Sequence, residues 1–240
     1  MTKYKTTPLS SCIGDVSILS LLLSHPKLDP NLIDSNGRNS FQLACWYQEI
    51  DFIKVLLEDP RVDILAVNSM GQNALFTACS KGHLNVVKVL LECNRFDIEL
   101  PESTSNTTPF YAACEYGRTE IASLLLRNEY PKVNVNHINK YSSTPLYAAC
   151  QNGLVEIVEL LLKEPRVDIS LSRDNGMTPF GIACFYGFVN IVQLFLSSGK
   201  KINMNVSLDG KTALDIAIER GHQLIVDKIQ GYLNSLQNEE

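Results

Sequence analysis

The chain of 240 residues has few of the features that mark membrane, secreted or nucleic-acid-binding proteins. Its longest apolar run falls far short of the roughly 20 residues that span a bilayer, and its first residues lack the apolar core of a signal peptide. Its net charge of −5 offers no electrostatic attraction to nucleic acid or to an anionic membrane. These absences predict a cytoplasmic protein that binds neither nucleic acid nor membrane.

Sequence signatures of catalysis are also missing. The chain has no glycine-rich nucleotide-binding motif, no His-Glu-x-x-His motif and no Gly-x-Ser-x-Gly motif. Its four histidines are scattered along the sequence rather than grouped as a metal or acid–base site would need. We therefore expect no enzymatic activity, no catalytic residues, no cofactor and no metal.

What the chain does have is self-similarity. Four segments of the form Asn/Thr-x-x-x-x-Ala-Cys recur, and each is followed three residues later by a glycine and then by an apolar triplet. The steps from one cysteine to the next are 35, 36 and 34 residues. A period of this length indicates a stack of similar supersecondary units. The four segments end at Cys79, Cys114, Cys150 and Cys184.

The cysteines could suggest a disulfide or metal framework, but their spacing opposes it. Five of the seven occupy one repeat position, so stacked units would place them in a row about 8–10 Å apart. A disulfide needs Cα atoms within about 7 Å, and zinc ligands must converge on one point. We predict buried, reduced thiols that pack as small hydrophobes. Cys93 falls at the end of a helix, where solvent can reach it.

One unit can be derived from residues 140–173. Thr144 followed by Pro145 predicts a helix start, because the hydroxyl caps free N–H groups and proline at the first helical position has none to lose. Gly153 predicts the end of this short helix. Pro165 ends a second, more apolar helix. The apolar residues of that helix are Val155, Ile157, Val158, Leu160, Leu161 and Leu162.

This pattern resembles the ankyrin repeat, whose period and Thr-Pro-Leu-His signature it approaches over nearly the whole chain. It departs from the signature because other residues stand in the histidine position. The resemblance implies antiparallel helix pairs with projecting β-hairpin fingers, forming a curved solenoid whose concave face recognises proteins. We therefore predict an all-α ankyrin-repeat solenoid. It would form a single domain over residues 1–240, with units at 1–34, 35–68, 69–103, 104–139, 140–173, 174–207 and 208–240, of which the first and last are caps.

Two turns depart from the repeat pattern. Gln48 stands where other units have the helix-ending glycine, which predicts a turn strained by about 1 kcal/mol. The finger Ser103–Thr108 has one extra residue and places Asn106 in the glycine position.

The resemblance also implies that partner contacts come from finger tips and from exposed positions of the first helices. The two residues between each cysteine and the glycine turn vary in chemistry, and they are rich in Trp and Tyr, which are frequent binding hot spots. A finger-tip tyrosine joins them. The alternative is that these side chains pack against the next unit. The candidate partner-binding residues are Trp46, Tyr47, Lys81, Glu115, Tyr116, Tyr141, Gln151, Asn152, Phe185, Tyr186 and Arg220.

These observations favour a non-catalytic scaffold or adaptor that binds another protein on its concave face as a monomer. The alternative is a regulatory or inhibitory subunit of a separate enzyme.

Overall fold

The computed structural model describes residues 7–127, 132–204 and 210–237. Within these ranges the chain forms thirteen α-helices and one 3₁₀ helix, and no residue there lies in a strand. The 3₁₀ helix is Ser10–Cys12, and the α-helices are α1 Val16–Leu23, α2 Ser40–Tyr47, α3 Ile50–Glu58, α4 Ala74–Lys81, α5 Leu84–Glu92, α6 Pro109–Glu115, α7 Thr119–Leu125, α8 Pro145–Gln151, α9 Val155–Lys163, α10 Pro179–Tyr186, α11 Val189–Ser197, α12 Ala213–Glu219 and α13 Gln223–Gln237.

The helices form two compact units. The first comprises the described residues of Met1–Ala113 and Leu124–Val133, and the second those of Cys114–Ser123 and Asn134–Glu240. In the first unit α2 packs on α3 and α4, α4 on α5, and α3 on both α1 and α5. In the second unit α8 packs on α9 and α10, α10 on α11 and α12, α13 on α11 and α12, and α11 on α9. Within each unit these helix pairs therefore pack against one another.

The first helices begin at the predicted caps. The Thr144 hydroxyl accepts a hydrogen bond of 3.1 Å from the backbone N–H of Tyr147, and Pro145 is the first residue of α8. Thr178 caps α10 in the same way, accepting from the N–H of Gly181 at 3.0 Å. These bonds satisfy N–H groups that have no partner inside the helix. The predicted Thr-Pro helix start is confirmed.

Left-handed residues end the first helices, as the glycine pattern predicts. Gly82 and Gly187 are the C-caps of α4 and α10, with φ of 86° and 78°. Gln48 takes the same place after α2 with φ of 63°, which confirms the strained turn. A side chain costs free energy in this region because its Cβ approaches the following carbonyl oxygen.

The core combines small residues from the first helices with branched residues from the second. Ala149 and Cys150 of α8 are fully buried, as are Val158 and Leu161 of α9. All seven cysteines lie in the described part of the chain as free thiols, and the five in register are buried. Burial raises the pKa of Cys184 to about 12. The prediction that the in-register cysteines are buried is confirmed.

The fingers are closed turns rather than paired strands. In each described finger the N–H of the first residue donates to a carbonyl four or five residues later, as from Asn68 to Gln72 at 2.9 Å and from Glu102 to Thr107 at 2.9 Å. The arms beside these turns are too short to form a ladder, so the described residues contain no sheet. The all-α repeat fold is confirmed, with turn-like fingers in place of β-hairpins.

Gln48→Gly should stabilise the protein by about 1 kcal/mol, because glycine adopts a positive φ without steric cost. The Gln48 side chain is exposed, so its removal forfeits little packing. Urea denaturation of the wild type and the variant measures the difference. Gln48→Ala is the matched control, since it removes the side chain but keeps the Cβ, and equal stabilisation by both substitutions would contradict backbone strain.

Cys150→Ser should destabilise the protein by about 1–3 kcal/mol, since it buries a hydroxyl with no assured partner. Native Cys150 should also resist iodoacetamide, because its side chain is fully buried and burial raises its pKa well above the usual value. Half-buried Cys93 should react first. Mass spectrometry of the alkylated peptides checks this order, and rapid modification of Cys150 in the native protein would contradict it.

Candidate partner-binding site

The candidate contact residues lie at the C-terminal ends of the first helices, where each helix turns into the second. In the three repeats whose pair ends in tyrosine, the two members differ in exposure in the same way. The first member is half-buried, as for Trp46, Glu115 and Phe185. The second member keeps about half of its surface exposed, and these residues are Tyr47 at 58%, Tyr116 at 53% and Tyr186 at 46%.

The backbone carbonyls of the first members are held by the following repeat. In the first compact unit Nε2 of His83 lies 3.1 Å from the carbonyl oxygen of Trp46. In the second unit Nε2 of His222 lies 3.2 Å from that of Phe185. A carbonyl can only accept, so each Nε2 carries the proton. These bonds hold the backbone of the pair against the next repeat. The side chain of the second member takes no part in them.

Two cations lie close to the Trp46 ring in the first compact unit. Nζ of Lys81 is 4.2 Å from the ring centroid, and Cζ of Arg38 is 5.1 Å from it. Arg38 also forms an ion pair of 2.8 Å with Asp34. Cations placed over an indole face are attracted by its quadrupole. The half-buried Trp46 is therefore partly covered by the long side chains around it, while Tyr47 beside it stays exposed.

An aromatic cluster forms around Tyr186 in the second compact unit. Its ring lies 5.2 Å from that of Phe185 and 5.7 Å from that of Phe188, measured between centroids. Cζ of Arg220 lies 3.6 Å from the centroid of Phe185, which places the guanidinium on the ring face. The structure thus joins three predicted residues, Phe185, Tyr186 and Arg220, into one surface.

Tyr141 lies at a finger tip with 53% of its surface exposed, as predicted. The side-chain oxygen of Asn139 accepts from the N–H groups of Tyr141 and Ser143, at 2.9 and 3.0 Å, and so fixes the turn. Nζ of Lys140 lies 5.1 Å from the Tyr141 ring centroid. The tyrosine is therefore displayed by an ordered turn.

Of the remaining predicted residues, Lys81, Gln151, Asn152 and Arg220 are exposed. Asn152 donates from Nδ2 to the carbonyl oxygen of Glu115 at 3.0 Å, so it also links neighbouring repeats. Sequence reasoning missed Arg38, Arg173 and Phe188, which contact the predicted aromatic residues. Arg173 could have been noticed in the sequence, because it occupies the first finger position, where the other described fingers have Asp, Asn or Glu.

The longest described finger is built around a buried carboxylate. Glu102 is 3% exposed, and its carboxylate accepts from the N–H groups of Thr104 and Ser105, at 2.7 and 2.6 Å, and from both their hydroxyls. In a shorter finger, the carboxylate of Asp34 accepts hydrogen bonds from the backbone N–H groups two and four residues later in the chain. Glutamate has one methylene group more than aspartate, so its carboxylate can reach the N–H groups of a loop that is one residue longer.

Hydrogen bonding sets the charge state of Glu102. Burial alone would raise the pKa of this carboxyl, but the hydroxyl and amide donors of Ser105 and Thr104 outweigh it and lower the pKa to about 2. The carboxylate is thus ionised and satisfied within its own finger. Among the residues that the structure describes, no three His, Cys, Asp or Glu side chains are grouped as a metal site would need.

Comparison with known proteins identifies the repeat. A family model described as ankyrin repeats (3 copies) matches residues 9–102, 96–172 and 165–232. The crystal structure of the human ASB11 ankyrin repeat domain is similar, with a TM-score of 0.73 and 27% sequence identity over 92% of this chain and 97% of that chain. None of the curated protein sequences matches this chain at a significant level. No described helix combines the length and the hydropathy that a membrane crossing requires.

Glu102→Gln should lower the free energy of unfolding at pH 7 by about 1–3 kcal/mol, because it leaves buried donors poorly matched. It should also flatten the acid dependence of stability. The native pKa is depressed, so the contribution of Glu102 is present above its unfolded pKa of about 4.3 and is lost as the pH falls toward about 2.

Urea denaturation of both proteins at pH 7 and pH 3 measures this effect. Exposed Glu92 of the same repeat gives the control variant Glu92→Gln, which should leave the acid dependence unchanged. An equal loss of stability between pH 7 and pH 3 in wild type and Glu102→Gln would contradict the role of the carboxylate.

Proposed function

The chain belongs to the ankyrin-repeat family, and on that premise we propose that it is a non-catalytic scaffold or adaptor whose first-helix pairs bind a partner protein. Ankyrin repeats are in general protein–protein interaction modules. The proposal includes a monomeric chain in the cytoplasm, a reducing compartment that suits seven free thiols.

One observation carries the proposal. Tyr47, Tyr116 and Tyr186 stand at the same repeat position and each exposes about half of its surface, whereas the residues just before them in the first helices are half-buried. Large aromatic side chains gain little by remaining in water at three equivalent places. Exposed Tyr and Trp are the residues most often found as hot spots in protein interfaces.

The arrangement of the pairs supports binding rather than chemistry. Cations lie on the rings of Trp46 and Phe185, and the backbone carbonyls of these two residues accept hydrogen bonds from histidines of the next repeat, so that the aromatic surface is held in place. A rigid scaffold with exposed aromatic anchors loses little conformational entropy when a partner binds. Each compact unit therefore presents its own predicted residues as a separate candidate surface.

Tyr186→Ala should weaken partner binding by about 2 kcal/mol, the usual hot-spot threshold, and change the melting temperature little. Leu161→Ala is the control, since it removes a fully buried side chain and should destabilise the fold by about 2–5 kcal/mol. The purified chain serves as bait, and captured proteins are quantified by mass spectrometry for wild type and both variants.

A partner retained by the wild type and lost by a Tyr186→Ala chain of unchanged melting temperature would support the proposal. Recurrent capture of one enzyme would favour a regulatory subunit over an adaptor. The binding role of Tyr186 would be rejected if this variant melted as early as Leu161→Ala while capturing the same proteins.

A further inference from the structure

Arg173 breaks a rule that the other described fingers obey. At the first position of each finger, a side-chain oxygen accepts the N–H groups of the turn, as Asp34, Asn68, Glu102 and Asn139 do. Arg173 occupies this position in its own finger, where it has no oxygen to offer. The turn instead uses the side chain of Asn175, which accepts from the N–H of Met177 at 3.1 Å.

The Arg173 side chain is directed toward aromatic residues of the preceding finger and helix. Its Nε donates to the carbonyl oxygen of Tyr141 at 3.0 Å, and its Cζ lies 5.4 Å from the ring centroid of Tyr147. Burial raises the pKa of Tyr147, a hydrogen bond from Arg173 opposes the rise, and nearby Tyr186 adds to it. Arg173 therefore links Tyr141 to Tyr147, and α8, which carries Tyr147, packs on α10, which ends at Tyr186, in the same compact unit.

Arg220 joins this group of residues through Phe185, whose ring lies 5.2 Å from that of Tyr186. It is exposed and stacks on Phe185, and the acid beside it, Glu219, already pairs with Lys211 at 2.7 Å. Across the described residues, no carboxylate lies within ion-pair distance of Arg173 or Arg220. Other arginines do have a carboxylate partner in the structure, and these are Arg38, Arg61 and Arg166.

We propose that the surface formed by Tyr141, Arg173, Tyr186 and Arg220 binds an acidic segment of a partner protein, with carboxylates on the two arginines and apolar side chains on the two tyrosines. The inference rests on the proposed protein-binding function and specifies the chemistry of the partner. A guanidinium stacked on a ring keeps N–H groups at its edge, and these match a carboxylate in a bidentate fork.

Charge complementarity favours this occupant over nucleic acid. The chain as a whole carries a net charge of −5, so the parts of a long polyanion that extend past the two arginines would be repelled by the rest of the protein. A short acidic segment would meet only the local cations. Its binding should weaken with added salt, since exposed ion pairs are screened.

The test must separate binding from a purely structural use of Arg173, which ties its finger to Tyr141. Arg173→Asn does so, because asparagine closes the equivalent turns at Asn68 and Asn139 and should preserve the fold while removing the cation. Arg220→Gln is the second variant. Lys163→Gln is the matched control, since it removes one exposed positive charge from the second helix α9, where the lysine pairs with Glu159.

The probe is a fluorescein-labelled peptide of twelve residues containing four Asp, two Tyr and Gly/Ser spacers, measured by fluorescence anisotropy in low salt. Two matched peptides carry Asn or Lys in place of Asp, and an oligothymidine of twelve nucleotides serves as the nucleic-acid probe. We expect the wild type to bind the acidic peptide and neither substituted peptide. Arg173→Asn and Arg220→Gln should each weaken binding about fivefold, and Lys163→Gln should leave it unchanged.

Equal binding of the acidic and Asn peptides, no binding of any peptide, or tighter binding of the oligonucleotide would overturn the inference. A melting temperature lowered by Arg173→Asn, together with unchanged binding by Arg220→Gln, would assign Arg173 a structural role only and would also overturn it. The proposed scaffold function is tested separately by capture of a partner, so it can hold when the acidic-segment inference fails.

Discussion

Stacking of one helix pair on the next is the constraint on which the rest of this structure depends. No repeat of this length buries its apolar faces alone, so each must be covered by neighbours within its compact unit. Close approach requires small side chains on the first helices, and Ala78, Cys79, Ala183 and Cys184 are all fully buried. Cysteine serves here as a small hydrophobe, and burial keeps its thiol protonated by raising its pKa.

Polar groups are concentrated where the helices and fingers end, because the backbone there lacks regular partners. Threonine and asparagine hydroxyl or amide oxygens cap the first helices, and Asp, Asn or Glu side chains close most fingers. Histidines after the turn hold carbonyls of the preceding repeat. Since these side chains satisfy the backbone, the exposed second member of each pair is free to vary, and it is there that Tyr47, Tyr116 and Tyr186 occur.

Cations placed on aromatic rings give this surface its particular chemistry. Lys81 and Arg38 flank Trp46 in one compact unit, and Arg220 covers Phe185 in the other. Arg38 is neutralised by Asp34, whereas the carboxylate beside Arg220 is held by Lys211. Two candidate surfaces of similar composition therefore differ in the charge that they present to solvent.

Local features of the fold follow from the sequence because each repeat presents the same short-range signals. Thr144-Pro145 and the glycine turns predict where helices begin and end, and Gln48 and Tyr141 are found in the predicted strained turn and exposed tip. The candidate pairs could be located by register alone. The sequence could not predict that the first member of a pair is half-buried and the second exposed, because this depends on how each helix end packs against the next repeat.

Tertiary structure alone decided which side chains meet across repeats. Arg173 approaches Tyr141, 32 residues away, and His222 reaches the carbonyl of Phe185, 37 residues away. The repeat period places such residues in adjacent layers, but side-chain rotamers and the available hydrogen-bond acceptors determine their contacts. The sequence by itself therefore determined the architecture and the positions open to function, while the contacts between repeats decided which of those positions carry charge, aromatic surface or packing.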